Sequence, residues 1–301
     1  MSTEANTADS QTSTEAGAVP TPRERTREQA QPKRPSVIKR LGGGAAEPLV
    51  IFGEIVQLGF KVFYMAITKP YGYWGETRDQ CYEALKLCWF PAIVSSFAFG
   101  FGAPGLSGGA IFSIFGIPSR LGGFFVFASL REFAPFVTGM VVAGVVGTAV
   151  TADLGARRIR EELDAMEVLG VDPIRTLVVP RVLAVTFMTT ILCIVTFIMG
   201  VASGYVAAIF VFGGRLVNVN YAMISLLNLP DVYAAVGKAF LFGLVLSVVC
   251  CYMGLNVKGG SIGVGKAVNQ AVVIAFAGVW VVNFVYTALL LGLSPTLYVF
   301  K

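Results

Sequence analysis

Long apolar stretches separated by short charged segments dominate the chain from residue 87 onward. Five windows contain no Asp, Glu, Lys or Arg and are long enough to cross about 30 Å of hydrocarbon at about 1.5 Å per residue. They predict an all-α polytopic fold with five membrane-spanning helices. The windows are 87–119, 133–152, 182–214, 239–257 and 267–300, and they predict spans at 87–114, 123–152, 182–212, 236–257 and 267–297.

A further charge-free segment, 216–230, is too short to span the bilayer because it holds only 15 residues. Its three asparagines and Pro230 disfavour a continuous apolar helix. We therefore interpret this segment as an extramembrane loop or a re-entrant piece. With five spans, the two termini are expected on opposite sides of the membrane.

Two regions of different character precede the first span. Residues 1–36 are rich in Ser, Thr, Glu, Gln and Pro with almost no large apolar side chain, so they predict a disordered, polar, cytoplasmic tail. Residues 37–86 predict amphipathic helices at the membrane interface. Within the mostly apolar run 49–68, three polar residues share one helical face, which favours an interfacial helix over a sixth span, with a short buried helix as the alternative. These residues are Glu54, Gln57 and Lys61.

The distribution of Lys and Arg predicts how the spans are oriented. Of the 23 basic residues, eighteen fall in the segments 1–86, 153–181 and 258–266, which lie on one side of the membrane in this topology. The N-terminus is therefore predicted to be cytoplasmic and the C-terminus extracytoplasmic. Topology also explains the net charge of +5, so no nucleic-acid partner is expected. The five basic residues expected outside are Arg120, Arg131, Arg215, Lys238 and Lys301.

Composition supports a membrane location and excludes several classes of enzyme. The chain is 55% hydrophobic and 14% charged, with a mean hydropathy of +0.72, whereas soluble domains have about a quarter of their residues charged. Because there is no histidine, Ser-His-Asp catalysis and His-ligated zinc are excluded. No two of the five cysteines have the C-x-x-C spacing of a metal or redox site. No catalytic residue, metal ligand or cofactor is predicted in this chain.

The most informative polar segment is the loop 153–181, which lies between the second and third predicted spans. An amphipathic helix over 156–169 is predicted there, with Asp153 as its N-terminal cap. The loop holds six acidic and five basic residues, a mixture that favours docking to a protein partner over binding to a lipid surface. The residues predicted to end the helix are Gly170, Asp172 and Pro173.

This predicted helix has an apolar stripe and a set of paired charges. The stripe consists of Ile159, Leu163 and Met166, which recur at helical spacing. Arginine and acidic side chains four residues apart are expected to form ion pairs along the opposite face. These pairs are Arg157 with Glu161, Arg158 with Glu162, and Arg160 with Asp164.

On the predicted outer side, Arg131 and Glu132 are the charged residues closest to a span. Charged groups at membrane depth are costly, so they often mark a functional site. One interpretation is a polar group lining a substrate entrance. The alternative, equally supported by the sequence, is a mutually neutralising pair that positions the helix at the interface.

Residues 260–267 come within one position of a phosphate-binding P-loop, with Ala267 where Ser or Thr would bind magnesium. A P-loop follows a β-strand in a soluble sheet, whereas a predicted span precedes this segment and another follows it. The glycines are therefore interpreted as shaping a tight cytoplasmic turn. Lys258 and Lys266 are expected to act as positive anchors beside it.

The loop and two further motifs resemble the MlaE/YrbE permease family. The run from Ala152 to Ile174, continuing to Val178-Val179-Pro180-Arg181, resembles the loop signature of this family and is most like that of the A-type YrbE subunits of actinobacterial Mce systems. The resemblance extends over most of the chain after the tail. Supporting matches are Leu130-Arg131-Glu132 with Pro135, and Gly259-Gly260 with Gly263-Val264-Gly265.

The resemblance implies the membrane half of an ABC lipid transporter. It implies an interfacial elbow helix, a five-span permease domain over 87–300, and a cytoplasmic coupling helix that inserts into an ATPase subunit. It also implies a heterodimer with a B-type YrbE subunit, a lipid cavity between the two subunits, and MCE-domain proteins above it. ATP and Mg would be bound by the partner ATPase, and the location would be the plasma membrane.

The sequence thus predicts a non-enzymatic permease subunit that couples ATP hydrolysis by a partner to movement of lipid or another hydrophobic substrate. The alternative is a scaffold that anchors an envelope complex without transport. Arg131 and Glu132 are assigned to the substrate path, and Asp153 to the helix cap. The residues assigned to ATPase coupling are Ile159, Glu161, Glu162, Leu163, Met166, Gly170, Asp172 and Pro173.

Overall fold

A computed structural model describes residues 47–68 and 72–293 of the chain. Within these ranges all of the regular structure is helical, which confirms the predicted all-α class. The predicted tail, 1–36, lies outside the described residues, as do residues 294–297 at the end of the last predicted span. Contacts divide the chain into a unit 1–51, described only from residue 47, and a compact unit 52–301.

Eight helices are described, and six of them are long and apolar enough to cross a membrane. Those six are α1, α2, α3, α5, α7 and α8, whereas α4 and α6 are short. The bounds are α1 Glu47–Thr68, α2 Trp74–Ile114, α3 Arg120–Ile159, α4 Glu162–Val168, α5 Ile174–Val211, α6 Leu216–Leu226, α7 Leu229–Leu255 and α8 Gly260–Leu293.

The five predicted spans correspond to α2, α3, α5, α7 and α8, but each helix is longer than its predicted span at one or both ends. The predicted boundaries were set at charged residues, and several of those residues are accommodated inside the helices by ion pairs. α1 is a sixth helix of sufficient length, and it contacts α7 at Gly59, where a Cβ atom would lie 3.6 Å from a Val248 methyl carbon. The Tyr252 hydroxyl donates a hydrogen bond to the Glu54 carboxylate at this contact. The interfacial position of α1 stays a prediction.

Residues 216–226 form a helix, α6, within the segment interpreted as an extramembrane loop or a re-entrant piece, and its position relative to the membrane stays a prediction. One apolar face of α6 packs against the start of α3. Val219 and Ala222 on this face are buried. Two glycines of α3 make this close contact possible. A Cβ atom at Gly122 would lie 2.8 Å from a Val219 methyl carbon, and one at Gly123 would lie 2.7 Å from the Ala222 carbonyl oxygen.

Helices α3, α5 and α7 form the centre of the bundle, and α1 and α8 lie at its periphery. α5 and α7 approach each other closely at Gly243, where a Cβ atom would lie 2.8 Å from the Thr186 Cα and 3.0 Å from the Thr189 Cβ. Small residues allow membrane helices to approach this closely and gain dispersion contacts along their length.

Charged side chains also join the central helices. The Arg181 side chain on α5 is only 2% exposed, and its Nη2 lies 2.5 Å from Asp153 Oδ2 on α3. Arg131 on α3 binds Asp231 on α7 in a bidentate pair, with Nε–Oδ1 and Nη2–Oδ2 distances of 3.0 and 3.3 Å. Buried charges persist between helices only when they are paired in this way.

The α5–α7 contact predicts the effect of filling Gly243. Gly243→Ala should destabilise the bundle by about 1–3 kcal/mol, because the new methyl group meets backbone and Cβ atoms that cannot move aside easily. The measurement is the thermal unfolding midpoint in detergent. Gly265→Ala in α8 is the matched control, since nothing lies within 4 Å of that position. A midpoint unchanged by Gly243→Ala would contradict the packing described here.

The α3–α7 ion pair predicts a non-additive pair of substitutions. Asp231→Asn should cost about 3–5 kcal/mol of unfolding free energy, because it removes the acidic partner of a largely buried Arg131 guanidinium. The double variant that carries both Asp231→Asn and Arg131→Gln should lose less unfolding free energy than the two single variants lose in sum. Asp79→Asn, in the exposed Arg78–Asp79 pair, should leave the midpoint unchanged. Additive losses would show that the pair is not coupled.

Candidate functional site

Four charged side chains meet between α3 and α7, and we call them the charge cluster: Arg131, Glu132, Asp231 and Lys238. Arg131 binds Asp231, and Lys238 Nζ lies 3.0 Å from Glu132 Oε1. The Arg131 guanidinium also lies over the Phe127 ring, 4.0 Å from its centroid, in a cation–π contact. The cluster therefore contains two opposite pairs and carries no net charge.

Helix α8 completes the hydrogen bonding of the cluster. Asn283 Nδ2 donates to Glu132 Oε2 at 2.9 Å, and Thr287 Oγ1 donates to Glu132 Oε1 at 3.0 Å. Asn283 and Thr287 are four residues apart, so both side chains point from one face of α8. Glu132 thus receives donors from α7 and from α8, which fixes the position of its carboxylate between three helices.

A π-helical turn explains why Arg131 and Glu132 both reach this point. Residues 129–133 form a π turn within α3. Such a turn inserts one residue into the helix and interrupts the regular ladder of backbone hydrogen bonds. Lys238 Nζ donates to the Arg131 carbonyl oxygen at 2.7 Å, which gives this interrupted segment a polar partner. Lys238 therefore supports both the backbone and the carboxylate of the site.

Sequence reasoning found Arg131 and Glu132 but missed Asp231 and Lys238 as their partners. Lys238 was counted only as an outer basic residue. A signal was available, because Asp231 and Lys238 are seven residues apart and therefore lie on one helical face. An acidic and a basic residue on one face of α7 are therefore the complement of Arg131 and Glu132 on α3. The predicted alternative of a mutually neutralising Arg131–Glu132 pair is wrong, because each residue is paired with α7 instead.

A cavity of about 370 Å³ opens beside the charge cluster between α3, α7 and α8. Its walls are mainly apolar, and three of the four clustered residues line its polar end. The lining residues of α3 are Phe124, Phe127, Ala128, Arg131, Glu132 and Phe133. Those of α7 and α8 are Ala234, Ala235, Lys238, Tyr286, Thr287, Leu290 and Leu291.

At the opposite end of α3, the loop predicted to hold one helix over 156–169 is divided in two. α3 continues to Ile159, and α4 begins at Glu162 after a bend in which Glu161 has a φ of 60°, in the left-handed region. The predicted ion pairs four residues apart do not form. Instead, arginines before or within the bend bind acids beyond it, which stabilises the two helices at an angle. These pairs are Arg157–Glu162 at 3.8 Å, Arg158–Asp164 at 2.5 Å and Arg160–Glu162 at 2.7 Å.

The bend changes which apolar side chains face outward. Leu163 is buried within the chain and Met166 is half-buried, so the predicted stripe is not a continuous exposed surface. Ile159 is 38% exposed, whereas Val168 and Leu169 are 87% and 79% exposed. Sequence analysis did not identify Val168 and Leu169 because it assumed one straight helix over 156–169. The outward apolar face of such a helix would be the predicted stripe.

Gly170 ends α4 in a Schellman motif. Its φ is +78°, its N–H donates to the Glu167 carbonyl at 3.0 Å, and the Val171 N–H donates to the Met166 carbonyl at 2.9 Å. Asp172 and Pro173 then begin α5, since Asp172 Oδ1 accepts a hydrogen bond from the Ile174 N–H at 2.9 Å. Together these residues form a short, well-defined turn from α4 into α5.

Asp153 does not cap a helix, so that prediction was wrong. It lies in the interior of α3, where backbone N–H groups already have helical partners. Its carboxylate instead binds Arg181 and, at 3.1 Å, Arg157. This places an ion-pair link between α3 and α5 directly beside the loop.

The charge cluster and the Asp153–Arg181 link lie near opposite ends of α3. Arg131 and Asp153 are 22 residues apart, which corresponds to about 33 Å along an α-helix. This is close to the thickness of the hydrocarbon core of a bilayer. One continuous helix therefore connects an exposed loop at one end with a partly polar cavity at the other.

This chain is similar in sequence to several known proteins. The chain is 34% identical over 180 residues to the Arabidopsis thaliana protein named TRIGALACTOSYLDIACYLGLYCEROL 1, chloroplastic, and the match covers 59% of this chain and 51% of that protein. It is 36% identical over 176 residues to a probable ABC transporter permease protein of Synechocystis, covering 58% and 66% of the two chains. A probable ABC transporter permease protein of Rickettsia typhi is 32% identical over 179 residues, with 60% and 69% covered.

The matched region thus spans about half of the Arabidopsis protein and about two thirds of the bacterial ones. A model of the family described as Permease MlaE matches residues 77–289, which include nearly all of α2, the whole of α3 to α7 and most of α8. Both the charge cluster and the loop lie within this match. The chain therefore belongs to the MlaE permease family.

Proposed function

We propose that this chain is the transmembrane permease subunit of an ABC-type lipid transporter. It moves a lipid or another hydrophobic substrate across the cell envelope while a partner ATPase binds ATP and Mg and hydrolyses the nucleotide. The chain itself does no catalysis. The observation that carries the proposal is that α3 connects the exposed loop at one end with the cavity at the other, in a member of the MlaE permease family.

The loop supplies a docking surface for the ATPase. Val168 and Leu169 project as an apolar ridge, and the acidic side chains Glu161 and Glu162 lie near the bend before them. An apolar centre with a charged rim is the usual composition of a protein interface. We assign coupling to this ridge together with Ile159, Met166, Gly170, Asp172 and Pro173, whereas the buried Leu163 supports α4 from within.

Movement at the loop reaches the rest of the bundle through the Asp153–Arg181 link. Because Arg181 is buried, a displacement of the loop that shifts Asp153 also acts on α5. The other end of α3 carries Arg131 and Glu132, which we assign to the substrate path beside the cavity. The printed name of the Arabidopsis relative refers to a diacylglycerol-based lipid, which supports a lipid as the substrate class.

The resemblance to A-type YrbE subunits supports the remaining assignments. In this proposal the chain pairs with a B-type YrbE subunit, works beneath MCE-domain proteins, and resides in the plasma membrane. Its N-terminus is cytoplasmic, which places the loop and its basic residues on the side where an ATPase has access to ATP. α1 then serves as the elbow helix and the short α4 as part of the coupling element.

Leu169→Arg tests the docking surface. A charge in the apolar ridge should remove the ATPase from the purified complex and abolish ATP-dependent lipid movement, while leaving the thermal midpoint unchanged because Leu169 makes few contacts within the chain. The measurement is co-purification in mild detergent from the native host, with identification by mass spectrometry. Ile114→Arg, at the exposed end of α2 away from the loop, is the matched control and should retain the ATPase.

The same purification separates the permease from a scaffold. Recovery of an ABC ATPase with the wild-type chain, and its loss with Leu169→Arg, would support the permease. Recovery of MCE-domain proteins without an ATPase would contradict coupling and leave the scaffold as the function. Retention of both the ATPase and transport by Leu169→Arg would exclude the ridge as the coupling surface.

A further inference from the structure

A second cavity, of about 520 Å³, lies where the end of α1 meets the turn from α4 into α5. It is separate from the cavity beside the charge cluster, and the proposed function gives it no role. Its lining combines hydroxyl groups, a guanidinium and a carboxylate with apolar side chains. The lining residues include Tyr64, Met65 and Thr68 of α1, Asp172 of the turn, and Arg175 and Thr176 of α5.

The depth of this cavity along the bundle matches the head-group region of a bilayer. The Asp153–Arg181 link lies about 33 Å from Arg131 along α3, so these two charged sites mark the two boundaries of the hydrocarbon core. Arg175 precedes Arg181 by six residues, which corresponds to about 9 Å along a helix toward the loop. The cavity therefore lies just beyond the hydrocarbon, where lipid phosphates are found.

Helix α1 runs along this same end of the bundle. Its Glu54 accepts a hydrogen bond from Tyr252 near the end of α7, and its last turn lines the cavity at the start of α5. Thr151 of α3 donates to the Cys250 carbonyl oxygen at 3.1 Å, so α7 ends level with the Asp153–Arg181 link. Both contacts of α1 thus lie at one end of the bundle, as expected for a helix along a membrane surface.

The outward face of α1 is apolar and continues from the rim of the cavity. Phe60, Phe63, Tyr64 and Ile67 recur at helical spacing, and their exposed fractions are 72%, 61%, 69% and 63%. Val62, on the opposite face, is buried. The exposed face suits acyl chains, and the cavity at its end holds polar groups. Together they have the two-part character of a phospholipid.

The charged groups of this site favour a phosphate. Arg175 presents a guanidinium, whose five N–H donors match the geometry of phosphate oxygens. Lys61 is exposed and lies one turn before Met65 on the same face of α1, which adds positive charge beside the cavity. Asp172 brings one negative charge, but its Oδ1 already accepts a hydrogen bond at the start of α5. These three charged residues give a net charge of +1.

We propose that this cavity binds the head group of an anionic phospholipid, with the phosphate on Arg175 and the acyl chains along Phe60, Phe63 and Ile67. The inference takes from the proposed function only that this end of the bundle is cytoplasmic, so that the lipid belongs to the cytoplasmic leaflet. Val171 lines the same cavity and directly follows the docking ridge in sequence. A bound lipid would therefore hold α1 against the turn beside the ATPase surface.

The experiment compares two lipids with the same acyl chains and different head-group charge. The purified full-length chain is incubated in detergent with equimolar dioleoylphosphatidylglycerol and dioleoylphosphatidylcholine, and the retained lipid is quantified by mass spectrometry. The wild-type chain should retain phosphatidylglycerol with a preference of about fivefold, the ratio expected from one basic residue at a membrane surface.

Three variants locate the preference. Arg175→Gln should reduce it to about equal retention, because the guanidinium that binds the phosphate is lost. Met65→Trp fills the cavity without a change of charge, and it should lower the retained phosphatidylglycerol to a similar extent. Arg78→Gln is the matched control, since it removes the same charge from a side chain that is 82% exposed at the start of α2, and it should keep the preference.

Equal retention of the two lipids by the wild-type chain would overturn the inference. A loss in Arg78→Gln as large as that in Arg175→Gln would also overturn it, because it would show diffuse attraction without a site. Displacement of phosphatidylglycerol by excess inorganic phosphate would show that the cavity takes free phosphate instead. If Arg175→Gln does not fold, the wild-type ratio with Met65→Trp and Arg78→Gln still decides the result.

The lipid site and the permease proposal are tested by different readouts. Lipid retention is measured on the chain without its partners, whereas the permease proposal depends on ATPase recovery and its loss in Leu169→Arg. A chain that recovers the ATPase but shows no lipid preference would overturn only the lipid site. A chain that shows the preference but recovers no ATPase would overturn only the permease.

Discussion

The pairing of charge inside an apolar bundle is the constraint on which the rest of this structure depends. Arg181, Asp231 and Lys238 are all buried charged residues of the described chain, and each binds an opposite charge on another helix. An unpaired ion between membrane helices is costly because no water is present to solvate it. The pairs therefore fix which helices are neighbours and hold α3 against α5 at one end and against α7 at the other.

Close packing and charge pairing both act on α7. Gly243 allows α7 to approach α5 at the distance of backbone contact, and Asp231 and Lys238 on the same helix bind charged side chains of α3. The π turn at 129–133 then adjusts the direction of Arg131 and Glu132 so that both reach α7. At the polar end of the cavity, the Glu132 carboxylate therefore accepts hydrogen bonds from donors on two other helices.

Much of the fold follows from the sequence because apolar length and the distribution of charge are local properties. The five predicted spans and the end of α4 at Gly170 required only the pattern of residues along the chain. The tight turn predicted from the glycines of 260–267 is wrong, because α8 begins at Gly260 and both Gly263 and Gly265 lie within it. The predicted helix over 156–169 failed for a physical reason. Its charges pair across a bend, and a pattern based on spacing alone assumes that the helix is straight.

The sequence by itself determined that this is a helical membrane protein, that Arg131 and Glu132 lie at a span, and that a charged loop links α3 to α5. Only the tertiary structure decided the partners of those charges, the outward position of Leu169 and the existence of the cavity. The physical reason is that pairing, burial and cavity shape are properties of two or more helices together. Residues such as Glu132 and Lys238, 106 positions apart in sequence, become neighbours only when α3 and α7 pack.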